Sequence, residues 1–312
     1  MGVHQNLTSF AGKPVVGFDA EQGTIEPGSE ARAAWRIRTG FEGTAFDEIF
    51  ARFLDAVESA EVTDLTIGYW GASYDNGTVD PVEPLVAAMG RLPNLEALFL
   101  GDIVAEESEI SWIEQSDVTP LLEAFPRLAH LEVRGGTGLV LRPFKSDVLK
   151  TLRFEAGGLP SEVVRAVGDG ELPHLEHLDL WLGATEYGGD ARAEDLAGIL
   201  GGARLPALRR LGLENSEIQD EIAAAVAGAP VVARLESLSL AMGTLTDTGA
   251  EALLSGQPLT HLQRLDLHHH YLSEPMMERV RAALPGVGID LEGQEEPDED
   301  DGEEWRYVAV SE

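Results

Sequence analysis

No cysteine occurs among the 312 residues, which excludes disulfides, thiolate zinc sites, iron–sulfur clusters and cysteine nucleophiles. Lysine is nearly as scarce: Lys13, Lys145 and Lys150 stand against 19 scattered arginines, and no basic patch forms. The 22 basic residues face 55 acidic ones, a formal net charge of −33. Phosphate backbones and anionic lipid surfaces repel such a chain, so neither nucleic acid nor membrane is an expected partner. No apolar run reaches the roughly 18 residues a membrane helix needs. The opening MGVHQNLTSF lacks the basic region and apolar core of a signal peptide, so the expected compartment is the cytoplasm. What is present, 44% hydrophobic residues, suffices for a core and argues against wholesale disorder.

The apolar residues recur. Eight segments carry L-x-x-L-x-L or a close variant, ending at Ile67, Leu100, Val133, Phe154, Leu180, Leu213, Leu240 and Leu267, at steps of 33, 33, 21, 26, 33, 27 and 27 residues. Several follow a Leu-Pro or Phe-Pro pair, such as Leu92-Pro93 and Phe125-Pro126. The intervening stretches leave room for a helix in most repeats. Thr248 and Glu251 stand at capping-box spacing before an apolar run, and Ser273 followed by Pro275 opens another helix. Strand, loop, helix and loop thus alternate, which predicts consecutive parallel strands joined by helical crossovers. Each strand is apolar on one face and carries charges and rings on the other, whereas a doubly wound sheet would bury both faces; the pattern therefore favours an α/β solenoid.

These repeats resemble those of leucine-rich-repeat proteins, the longer ones being similar to the ribonuclease-inhibitor-like class. The closest echo runs from Leu235 through Leu238, Leu240, Leu245 and Gly249 to Leu253, and the likeness spans roughly residues 60–291. Stretches around Gly101-Asp102-Ile103 and Leu180-Trp181-Leu182-Gly183 also resemble a bacterial cytoplasmic leucine-rich-repeat family with no assigned activity. The resemblance implies a horseshoe with a parallel concave sheet and convex helices. It departs at the ladder position, where Ser216, Gly243 and His270 replace the usual Asn or Cys.

Residues 1–60 lack the repeat and read as an N-terminal α+β cap. Lys13–Phe18 and Ala34–Arg38 read as strands around a Gly/Pro/Ser-rich turn region, and Phe46, Ile49, Phe50, Phe53, Leu54 and Val57 share one helical face. Residues 61–291 form the repeat array of about eight units. Residues 292–312 are an acidic tail of ten carboxylates and one arginine, net −9, which leaves −24 for the rest. The tail ends in Trp305-Arg306-Tyr307-Val308-Ala309-Val310, a strand-like peptide. It either returns to cover an exposed edge such as Ile289–Leu291 or elsewhere, or serves as a recognition peptide that adds a strand to a partner.

The outward strand positions are the candidate contact residues: Phe99, Glu132, Arg134, Arg153, Glu155, Asp179, Trp181, Glu214, Asp266 and His268. Trp181, Arg153, Arg134 and Phe99 are of the types that dominate interface energetics, although any solvated sheet carries some such residues. Asp266, His268 and His270 alternate and could approach a divalent ion with Asp179 and Glu214, but His270 stands where the repeat turns inward and reads better as a buried turn residue. Phosphate loop, nucleophile elbow and H-E-x-x-H signatures are missing, as is a calcium-loop pattern around Glu106–Glu109. The expectation is a monomeric, non-catalytic scaffold that binds a protein partner of basic character through its concave face, with no cofactor and no metal. An accessory subunit of an enzyme, or a metal-dependent enzyme using the His/Asp cluster, is the alternative.

Overall fold

The computed structural model describes residues 3–18, 30–40, 44–71, 80–300 and 302–312. The turn region expected before Ala34 falls largely on residues 19–29, outside that set. Among the described residues the chain is a mixed α/β structure built on one twelve-stranded sheet whose spatial order is the order of the sequence. Its strands are β1 (Ser9–Phe10), β2 (Lys13–Gly17), β3 (Ala34–Ile37), β4 (Asp64–Ile67), β5 (Ala97–Leu100), β6 (His130–Arg134), β7 (Thr151–Glu155), β8 (His177–Gly183), β9 (Arg210–Ser216), β10 (Ser237–Ser239), β11 (Arg264–Asp266) and β12 (Gly288–Asp290). Only β1 and β2 pair antiparallel; every later pair is parallel. The first three strands lie within residues 1–60 and continue the same sheet, β2 pairing with β3 and β3 with β4.

The register explains the leucine spacing. Trp35, Leu65, Leu98, Leu131, Leu152, Leu178, Leu211, Leu238 and Leu265 stand side by side in one column across nine strands, each buried. Each such side chain removed from water contributes roughly 1.5–3 kcal/mol, and a one-residue slip would turn the whole column to the other face. Packed against this column are α1 (Phe46–Ala56), α2 (Val82–Ala87), α3 (Thr119–Ala124), α4 (Ser161–Asp169), α5 (Ala197–Gly201), α6 (Gln219–Ala227), α7 (Asp247–Ser255) and α8 (Glu274–Ala283). In α1 the expected aromatic face is buried: Phe53 meets Phe18 at 5.3 Å and Trp35 at 5.9 Å between ring centroids.

Carboxylates at helix starts tie neighbouring units together. Asp220 Oδ1 accepts from the Thr246 amide at 2.8 Å, and Asp247 Oδ1 accepts from the Ser273 amide at 2.8 Å. Ser273 caps α8 as its sequence suggested, its Oγ accepting from Met276 N. The cap of α7 is Thr246 and not Thr248: Thr246 has the extended backbone a cap requires, and its Oγ1 accepts from the Thr248 amide at 3.2 Å. Among the described residues no helix is long and apolar enough to cross a membrane.

Beyond β12 a small hairpin of β13 (Asp298–Asp300) and β14 (Glu303–Trp305) forms a separate two-stranded sheet. Residues 307–312 then run back across the C-terminal ends of the strands. Ala309 N donates to Met242 O at 2.8 Å, Val310 N donates to Asn215 Oδ1 at 2.9 Å, and Tyr187 Oη donates to Glu312 at 2.8 Å. Ser111 Oγ also donates to Ser311 O. The segment therefore crosses from the last units toward earlier ones; it does not pair with the β12 edge.

Candidate functional site

On the face opposite the helices the register sets a second column: Arg36, Thr66, Phe99, Glu132, Arg153, Asp179, Gly212, Ser239, Asp266 and Asp290, one residue per strand. Two positions further along, Arg134 stands beside Glu155 and Trp181 beside Glu214. Alternation within strands and in-register pairing between them thus gather the candidate residues of β5–β9 into one field.

Arg153 is its hub. Its guanidinium lies 3.0 Å from Glu155, 3.0 Å from Asp179 and 3.9 Å from Glu132, and 5.2 Å above the Trp181 ring. Burial disfavours its charge, but the surrounding carboxylates, Glu155 first, raise its pKa further. Arg134, buried, bonds Glu155 at 2.6 Å and the Ile103 carbonyl at 2.8 Å, and stacks 5.1 Å over Phe99. Glu132 accepts from His130 at 2.5 Å; burial opposes its charge, yet His130 and Arg153 hold its pKa below the ordinary value.

Much of this field is covered by the chain itself. Phe10 packs 6.1 Å from Phe99 and 4.9 Å from His130, and Leu7 donates its amide to Asp102 at 3.1 Å. Val310 joins Ile110 and Trp181 in a small apolar cluster, with Val3, Met242 and Ala309 against it. Phe99, Arg134, Glu155 and Trp181 are consequently buried; Asp179 and Asp266 are also largely buried, and Glu132, Arg153, Glu214 and His268 are half-buried. The arms at Phe10 and Val310 escaped sequence reasoning as covers for this face. Their apolar residues were visible, but nothing in the spacing says which surface they meet.

Over β8–β11 the face stays open as a hollow of about 480 Å³ lined by His177, Asp179, Arg210, Gly212, Glu214, Glu236, Ser237, Ser239, Gln263, Arg264 and Asp266. Trp181 Nε1 donates to Glu214 Oε2 at 3.0 Å on its wall. Asp179 is pushed well above the usual carboxylate range, first by burial and then by the Glu214 charge, with Arg153 offsetting only part. His177 is pushed down to about 4 by burial and by Arg153 and Arg210, so it is neutral at physiological pH. Asp266 accepts from His268 at 2.8 Å and from Arg264 at 2.7 Å. Burial works against its ionisation, but these bonds outweigh burial and hold its pKa near 2, and Asp266 in return raises that of His268.

His270 does not join them. It is fully buried, its Nε2–H donates to Leu291 O at 3.2 Å, and its Nδ1 accepts from the Leu272 amide at 3.1 Å, the neutral tautomer that burial favours. Among the described residues no group of three or more His, Cys, Asp or Glu side chains is placed to hold a metal ion.

By fold the chain is an α/β protein with a long, mostly parallel sheet. No protein-family model matches it, and no curated protein sequence does. A protein from Bacteroides fragilis, solved as a structural-genomics target, is similar to it at 30% identity with a TM-score of 0.74, over 84% of this chain and 74% of that one. The chain belongs to the family of that Bacteroides fragilis protein.

Proposed function

We propose that the protein is a leucine-rich-repeat solenoid, a horseshoe capped by residues 1–60, that works in the cytoplasm as a monomeric, non-catalytic binding protein for a protein partner of basic character. The observation that carries this reading is the open hollow over β8–β11, a shallow basin on a sheet face whose earlier strands are covered in part by the chain's own arms. A stacked array with one strand per repeat favours the solenoid, and such arrays offer broad curved surfaces and few enclosed pockets. The net charge of −33 favours a basic partner. The enzymatic alternative draws less support, because both ring nitrogens of His270 are committed to main-chain groups.

The test is affinity capture from native cytoplasm followed by mass spectrometry, comparing the parent chain with Glu236→Arg/Gln263→Arg. Both positions are exposed on the rim, so the variant keeps its fold and reverses local charge. Loss of the captured protein with unchanged melting temperature is expected; undiminished capture would overturn binding through this face.

A further inference from the structure

We propose that the notch above Gly212 receives a single alkylammonium group, the side-chain nitrogen of a lysine on the bound protein. This deepens the binding reading above and rests on it.

Gly212 is the one gap in the outward column between Asp179 and Ser239, its register neighbours on β8 and β10. A Cβ placed on Gly212 would stand 2.5 Å from Asp179 Oδ1 and 3.3 Å from Glu214 Oε1, so two carboxyl groups lean over the bare backbone. Apart from the proton it shares with Glu214, the buried Asp179 Oδ1 has no hydrogen-bond partner among the described residues, and Ser239 Oγ has none. The other oxygens of the pair are already engaged: Asp179 Oδ2 lies 3.0 Å from Arg153 Nε, and Glu214 Oε2 takes the Trp181 indole N–H. Asp179 Oδ1 and Glu214 Oε1 therefore face the same point over Gly212, and Gly212, Asp179, Glu214 and Ser239 line the open hollow. Unpartnered buried acceptors at the floor of an accessible basin are costly unless a donor arrives.

The donor set selects the ligand. While the notch is empty Asp179 and Glu214 share one proton, and an ammonium group takes its place between the two oxygens that meet over Gly212, with the Ser239 hydroxyl on the neighbouring strand as a further acceptor. Such a compact set matches the three donors of an ammonium group better than the planar fork of a guanidinium. No group of three metal-ligating side chains exists among the described residues. None of the chain's three lysines lines the hollow, and two of them pair with Asp64 and Glu171. Arg210 and Arg264 on the rim repel a multiply charged polyamine more than a single ammonium on a neutral stem. That favours a lysine side chain of a protein over a free polyamine.

The test uses the full ¹⁵N-labelled chain titrated with N-acetyl-lysine methylamide. The Trp181 indole N–H and the Gly212 amide report on the notch. A saturable shift of both is expected, absent with the uncharged N-acetyl-norleucine analogue. Affinity should weaken about tenfold or more in Gly212→Ala, which fills the notch without changing charge. Glu214→Gln, which removes a charge and keeps an oxygen for Trp181, should weaken it likewise and serves if Gly212→Ala does not fold. No saturable shift, an equal shift from norleucine, or full affinity in both variants would overturn the proposal; tighter binding of spermidine would overturn the assignment to a protein lysine. Loss of capture in the rim variant without lysine binding sinks the notch alone. Lysine shifts with capture indifferent to the rim sink the face-wide reading instead.

Discussion

Asn215 does two jobs that few residues combine. Its backbone sits at φ 53°, in the left-handed region that Asn tolerates better than most, at the end of β9. Its buried carboxamide donates to Val310 O at 2.5 Å and accepts from Val310 N at 2.9 Å, holding both main-chain groups of one residue. Asn215→Gly keeps the backbone conformation and removes both bonds, leaving two main-chain groups without partners. A loss of about 2–3 kcal/mol in urea denaturation is expected. A change within a few tenths of a kcal/mol would mean that water replaces the carboxamide at no cost. The Asp266–His268 pair makes a second residue-scale forecast, in pH. Asp266 is lowered from 3.8 to about 2, so its contribution is present above 3.8 and lost as pH falls through about 2. His268 is raised from 6.5, so its contribution is present below 6.5 and lost as pH rises through the raised value. The pair is thus strongest from about pH 4 to 6.5, and being half-exposed it adds no more than about 1 kcal/mol. In Asp266→Asn the NMR titration of His268 should move down toward the ordinary value; an unmoved midpoint would remove Asp266 as the cause.

Among the elements, the segment from Tyr307 to Glu312 contributes most beyond its length. It buries Val308 and Val310 and links the ends of β9, the Met242 and His269 turns, and the loops at Ser111 and Tyr187. Gly157 is part of the seat: a Cβ there would stand 2.5 Å from Ser311 O, so the segment lies against a backbone that only glycine leaves bare. Removing residues 306–312 forfeits the burial of two valines, worth roughly 1.5–3 kcal/mol each, and leaves several main-chain groups without partners. A drop in melting temperature of several degrees is expected, with Gly157→Ala lowering it in the same direction. An unchanged melting temperature after truncation would favour a free recognition peptide over a brace. The leucine column and the aromatic face of α1 were legible in the sequence because spacing alone sets which residues share a face. The membership of the outward column was legible for the same reason, while the pairing of Arg153 with Asp179 came with the register. Its covers were not, since Phe10 and Val310 reach it through tertiary contacts that no local period encodes.

For the molecule as a whole, charge acts in two ways with opposite dependence on salt. The cations of the sheet face are paired: Arg134 and Arg153 lie among carboxylates in buried or half-buried settings that ions in solution screen little. Many of the carboxylates that make up the excess of −33 are exposed, repel one another and weaken the compact state. Raising ionic strength from about 0.01 M to 0.15 M shortens the screening length from about 30 Å to 8 Å. That relieves the repulsion, and the melting temperature should rise by a few degrees. The same screening would remove the long-range attraction expected to draw in the proposed basic partner. The association rate, measured by stopped flow over that salt range, should therefore fall, while the dissociation rate, set by short contacts in the hollow, changes little. Stability and encounter rate thus move in opposite directions with one variable. An association rate indifferent to salt alongside a melting temperature that rises would leave the self-repulsion in place and remove the steering, and with it the argument from −33 to a basic partner.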